Sequence, residues 1–314
     1  MRGVLIAGVL TCCVPAALAV DGVIEINHAR ALAGGVTPGD APGYPVTLSQ
    51  PGSYRLTGNL SQPSADTDVL QVANNVRNVN IDLNGFEIGG GNTCNYTPGP
   101  MALSCTAVGS GTGIQTFWDE THLNVRNGVI RGVGSMGIRS NGPLTADNLR
   151  IVHSGSYALL GGAALIRNVM VYRNGRGVGT ANGEISQVRV LENGGDAGIE
   201  CSGACVITHN VVKNNIGNGI TVMNDFGGGA VLAHNIVSSN KIMGMVVNGG
   251  HVVGNSVFSN LDGGLYINNS AGRRTSYLNN VFHGNNAGGA QLSSSDGNLS
   301  HNLGGNLCQG ALCP

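Results

Sequence analysis

"GNSVFSNLDGGLYINNS", residues 254 to 270, interleaves turn formers with single apolar residues at a two-residue beat. It therefore carries strand and turn signals at once. The same hybrid recurs. A Gly-apolar pair opens GIQTFW at 113, GIRSN at 137, GVGTAN at 177, GIECSG at 198, GITVMN at 219, GMVVNG at 244, GLYINN at 264 and GAQLSS at 289, with a degenerate copy, YALLGG, at 157. The spacing is about 20 to 25 residues, the length of one coil of a parallel β-solenoid. Leucine-rich repeats share that length but require a Leu frame and a helical or 3₁₀ segment, and these units are too glycine-rich for helix.

An amide follows each pair at a repeating offset: Asn84, Asn127, Asn148, Asn168, Gln187, Asn210, Asn235, Asn255, Asn280 and Asn302. Stacked coils bring equivalent residues to about 4.8 Å. An inward amide at that corner would bond to its copy above and below, offsetting the cost of burying it. A second Asn often closes the following strand, as in Asn168/Asn174, Asn235/Asn240, Asn255/Asn260 and Asn280/Asn285. These repeats imply an all-β chain of about 9 to 10 coils.

Composition agrees. Glycine contributes 52 of 314 residues, charged residues only 11%, and net charge is -1. Collagen is excluded because no three-residue glycine period exists. Disorder is excluded by a hydrophobic fraction of 41%. Nucleic acid is not an expected partner, since no basic cluster occurs and Arg273-Arg274 is isolated.

Residues 1–19, MRGVLIAGVLTCCVPAALA, have the charged start, short apolar run and small-x-small ending of a secretory signal cleaved after Ala19. The run is too short to span a membrane, and no other segment is long enough. Secretion, or a periplasmic or cell-surface location, is expected. The alternative is lipid anchoring through Cys12 or Cys13. Beyond the signal, Cys94, Cys105, Cys201, Cys205, Cys308 and Cys313 fall into three local couples, 94–105, 201–205 and 308–313, expected as disulfides in an exported chain. They lack zinc-site spacing.

Residues 20–60 are expected to form a cap and irregular first strands. In "VIEINHARALAGG", Ile24, His28, Ala31 and Leu32 share one face of a short helix stopped by Gly34-Gly35. Such a cap would cover the open end of the solenoid. Residues 61–314 carry the coils. Residues 91–111, with Cys94, Cys105, Pro98 and Pro100, interrupt them as a stapled insertion.

The "Gly-apolar strand, then Asn-strand-Asn" unit, over residues 66 to 307, resembles the right-handed parallel β-helix superfamily of exported bacterial proteins. That superfamily includes pectate lyases, polygalacturonases, alginate epimerases and phage tailspikes. The resemblance implies three strands per coil, right-handed winding and a groove over the strand beginning with Gly-apolar. The implied partner is an extracellular or envelope polysaccharide, with lyase, hydrolase or epimerase processing. A noncatalytic structural or adhesive surface protein is the alternative. Polygalacturonase NTD, DD, GHG and RIK motifs are missing, "NDF" at 224 and "GGH" at 249 being only superficially similar, and the epimerase DPHE motif is absent. No catalytic residue is carried over from these families.

If the apolar residue after each Gly points inward, the first outward column reads Gln115, Arg139, Leu159, Gly179, Glu200, Thr221, Val246, Tyr266, Gln291. Glu200 is its only carboxylate, whereas glycoside hydrolysis ordinarily uses two. Asp225 is the nearest further acid, roughly 13 Å along the groove. Arg139 stands about three coils from Glu200. These three are the candidates for chemistry. "TFWDETH" places Trp118 beside Asp119 and Glu120, an apolar face with acceptors that suits a sugar ring; the competing reading packs Trp118 beneath the 91–111 insertion. Tyr266 is a second aromatic ligand candidate. His209 and His234, with His301 in the same expected register, read as solvated turn residues. No metal or cofactor is expected.

Overall fold

The computed structural model describes residues 22–223, 229–269, 273–299 and 301–314. The signal-like segment with Cys12 and Cys13, and Asp225, lie outside them. The chain is a parallel β-solenoid of about 12 turns with three strand positions per turn. The excess over the repeat count arises early: Val46–Leu48, Gly52–Leu56 and Leu60–Ser61 already pair in parallel with the next coil.

The first sheet contains the Gly-apolar strands. Ile114, Ile138, Leu159, Val178, Ile199, Ile220, Met245, Leu265 and Leu292 stand in one register and fill the interior. The second sheet runs from Val23–Ile26 to Thr275–Leu278. The third carries one aliphatic per coil in register, including Ile130, Ile151, Val171, Val190, Val212, Val237 and Val257, followed by Phe282 and a last level at Cys308. One or two buried aliphatics per strand per turn make a core that lengthens with the chain without widening.

The recurrent glycine has a packing cause. A Cβ on Gly244 would stand 2.4 Å from Val257 Cγ1 and 2.7 Å from Asn260 Nδ2. The missing side chain is thus the space into which the third-sheet aliphatic and the corner amide fit.

At the corner between third and first sheets, Asn174, Asn193, Asn215, Asn240, Asn260 and Asn285 form a buried file. Each Nδ2 donates to the next Oδ1 at 2.8–3.1 Å, and Gln291 Oε1 accepts from Asn285. At the corner between second and third sheets, the file is Asn210, Asn235, Asn255, Asn280 and Asn306.

Six expected ladder members are corrected. Asn127, Asn148, Asn168 and Gln187 sit one position upstream of the inward file, with φ of 60°, 51°, 55° and 57°. The inward residues at those levels are Gly128, Leu149, Val169 and Val188. Asn84, φ 52°, belongs to a longer turn and donates to Leu56 O. The left-handed bend selects Asn for its own reason, so two adjacent positions both favour the same residue. Asn302 bridges to Tyr277 on the second sheet, leaving the terminal ladder position to Asn306.

The N-terminal expectation is corrected in part. Residues 23–26 form a strand, so Ile24 lies outside the helix, which spans His28–Ala33 under an Asn27 cap and stops at Gly34, φ 73°. Ala31 is buried and Leu32 exposed. Disulfides join Cys94–Cys105, Cys201–Cys205 and Cys308–Cys313.

Candidate functional site

Two copies of the repeat are shifted from the sequence-derived alignment. Leu159, not Ala158, continues the inward column, and Leu292, not Ala290, ends it. The larger aliphatic fills the core level in each case. The first outward column is therefore Gln115, Arg139, Leu160, Gly179, Glu200, Thr221, Val246, Tyr266 and Ser293. Leu159 is fully buried, and Gln291 is a ladder cap rather than a groove residue.

Glu200 and Arg139 do face this surface, three coils apart. Gly179 occupies the column between them, and its bareness decides the local chemistry. A Cβ there would lie 2.8 Å from Leu160 Cδ1 and 3.1 Å from Tyr157 Cε1. Across that gap Tyr157 reaches over an intervening coil, and its hydroxyl donates to Glu200 Oε2 at 2.7 Å. Arg176 Nη1 donates to the same hydroxyl at 2.8 Å, and Nη2 pairs with Asp196 at 3.1 Å. The Arg176 guanidinium also lies 5.1 Å from the Tyr157 ring centroid. Burial, then the bond to Glu200, raises the Tyr157 hydroxyl above its ordinary value, with Arg176 opposing. The tyrosine keeps its proton and directs it at the carboxylate.

Beside this network is a cavity of about 410 Å³ whose lining includes Tyr157, Leu160, Gly179, Ala181, Glu200 and Met223. Glu200 Oε1 is buried and has no protein hydrogen-bond partner. An unpartnered buried acceptor is costly, so a donor reaching this oxygen would be favoured.

Farther toward the N-terminus, Asp68 accepts from Thr112 N at 2.7 Å and from Gln115 Nε2. Burial raises its carboxyl above the usual range despite those bonds and the nearby Arg139 charge. Arg139 lies 4.9 Å from the Phe117 ring centroid, and its Nε is buried without a partner.

The other candidates are placed apart. Trp118 is half-buried with the Arg77 guanidinium 5.6 Å from its ring centroid, and Arg77 bridges exposed Glu120 at 2.5 Å. Asp119 is exposed. Tyr266 lies three coils beyond Glu200 in the same column. The insertion does not cover Trp118. Its hairpin, Cys94–Thr97 with Ala102–Cys105, lies along the opposite edge of the groove sheet: Cys94 N donates to His153 Nδ1 at 2.9 Å, and Lys241 Nζ to Met101 O at 3.3 Å. His209 and His234 are exposed, their rings 5.2 Å apart; His301, whose carbonyl accepts from Tyr277 N, lies out of their file.

A larger trough, about 740 Å³, follows the outer corner lined by Asn127, Asn148 and Asn168. Their amides already bond from coil to coil or to Asp82 and Asp147. The groove cavity is the better candidate because its carboxylate is incompletely satisfied. Sequence reasoning identified Glu200 but missed Tyr157 and Arg176. An ionisable residue in a degenerate repeat, opposite a glycine in an outward column, was the available signal.

No family model and no curated protein matches the chain. Among solved structures, the Dettilon tailspike protein matches with TM-score 0.55 and 13% identity, over 84% of this chain and 58% of that one. Pectate lyase Pel9A matches with TM-score 0.54 and 16% identity, over 83% of this chain and 73% of that one. The chain thus spans little more than half the length of the tailspike. At these identities the likeness concerns fold: this is a right-handed parallel β-helix of the pectate-lyase-like type.

Proposed function

We propose that the protein works outside the cytoplasm, holding an extended polysaccharide along the first sheet with one sugar unit in the Glu200 cavity. The observation that carries the reading is the buried Glu200 Oε1 beside Tyr157, in a cavity on a face whose side chains repeat coil by coil. Sugar rings offer apolar faces and hydroxyl donors, matching Leu160 and Met223 on one hand and the carboxylate on the other. The fold shared with a pectate lyase and a tailspike supports a carbohydrate ligand. Disulfides support an oxidising compartment, and among the described residues no helix is long and apolar enough to cross a membrane.

Binding is the activity the geometry supports best, since Glu200 is the one carboxylate in the first outward column among the described residues. The test is calorimetric titration with neutral, acidic and amino oligosaccharides, alongside reducing-sugar and unsaturated-uronate assays. Oligosaccharide binding that weakens at least about ten-fold in Tyr157→Phe and Glu200→Gln is expected. No binding to any glycan class would leave the structural or adhesive alternative in its place.

A further inference from the structure

We infer that the Glu200 cavity selects a sugar bearing a free amine, that is, an ammonium group at neutral pH. This inference rests on the polysaccharide reading above and narrows it to a chemical class. Glu200 is the only charged residue lining the cavity among the described residues. The remaining lining is uncharged: Leu160, Ala181 and Met223 are apolar, and Asn141, Ser202 and Thr221 are neutral polar groups. The nearest cation is already engaged: Arg176 donates to the Tyr157 hydroxyl and pairs with Asp196, which is exposed. Glu200 and Asp196 carry two negative charges against the one positive charge of Arg176, so the local group has a net charge of one negative.

Hydrogen bonding points the same way. The Tyr157 proton is committed to Glu200 Oε2, and the tyrosine oxygen accepts from Arg176. The hydroxyl therefore has no proton for an incoming acceptor. Glu200 lines the cavity, and its Oε1 is the carboxylate oxygen left unpartnered among protein groups. A sugar hydroxyl would satisfy its geometry. An ammonium would satisfy both geometry and charge: the bond to the carboxylate is charge-assisted with either donor, and only the ammonium adds the attraction of opposite charges. A uronate carboxylate or an N-acetyl carbonyl would instead bring an acceptor against an acceptor.

The probes are glucosamine tetramers, N-acetylglucosamine tetramers, a neutral glucose tetramer and a uronate tetramer, each titrated into the intact disulfide-bonded protein. The glucosamine tetramer should bind at least about ten-fold more tightly than the other three. In Glu200→Gln, with far-ultraviolet circular dichroism and melting temperature checked against wild type, that preference should collapse to about two-fold or less. Tyr157→Phe, which retains the carboxylate, should weaken binding while keeping the preference. Equal binding of the amino and N-acetylated tetramers, a preference for the uronate, or a preference that survives Glu200→Gln would each overturn the amine assignment while leaving polysaccharide binding intact. Failure of all four tetramers to bind would overturn both.

Discussion

The corner between the second and third sheets is built differently in the two halves of the solenoid. Through Val188 its inward positions are Gly128, Leu149, Val169 and Val188, the last three packed in the core. From Asn210 onward they are buried asparagines, and each after Asn210 accepts from the backbone N–H and side-chain Nδ2 of its predecessor. The earlier coils add charge outside the corner, as in Arg126–Asp82, Arg131–Glu87 and Arg167–Asp147. The same bend is thus held by apolar packing with exposed ion pairs in one half and by continuous amide bonding in the other. Partly exposed ion pairs contribute little, whereas a buried amide removed from a file leaves several groups unsatisfied.

The largest break in this comparison should come from Asn255→Ala. It removes the acceptor for Asn235 N and Nδ2 and the donor to Leu232 O. A loss of about 3 kcal/mol or more is expected in urea unfolding, against under about 1 kcal/mol for Asn148→Ala in the outer file. Gly244→Ala comes next, at about 2 kcal/mol by the same assay, because the new methyl meets Val257 and the Gly264 carbonyl oxygen.

Extending the amide file sharpens the contrast. Val188 N already donates to Asn210 Oδ1. Val188→Asn should therefore cost under about 1 kcal/mol, while Leu149→Asn, with Val169 as its neighbour in the file, should cost about 2 kcal/mol. Comparison of the two melting curves checks the difference.

The smallest effect is set by pH at the hairpin. Burial, with Arg173, Arg131 and Arg150 nearby, lowers the His153 pKa, and protonation of Nδ1 would break the bond it accepts from Cys94 N. The unfolded chain therefore binds this proton more readily than the folded one. The associated stability is present above about pH 6.5 and is lost as pH falls through the folded value. Hydrogen exchange should show the Cys94 amide losing protection across that interval, and His153→Gln should flatten the dependence.

Much of the fold is legible in the chain because each level repeats a small set of constraints: glycine where the next corner needs room, one or two inward aliphatics per strand, and an amide at a bend. The misread amides follow from the same economy. Asn127, Asn148 and Asn168 satisfy a left-handed bend, and Asn210 and Asn255 satisfy a buried file, at adjacent positions and with the same residue. Spacing to the previous strand distinguishes them only after the register is known.

The candidate site was less legible. Glu200 stands out as a carboxylate in a column nearly free of charge, but Tyr157 lies in the degenerate copy, where the repeat alignment shifts by one residue. Its contact with Glu200 depends on Gly179, in a different coil from either partner.

The sequence by itself determined the parallel winding, the three local cysteine couples and the column carrying Glu200, since these depend on periodicity and short separations. Tertiary structure alone decided which asparagines turn inward, where the stapled hairpin lies, and that Tyr157 and Arg176 converge on one carboxylate. Those outcomes depend on the register between coils and on space left by a side chain that is absent, neither of which a linear pattern records.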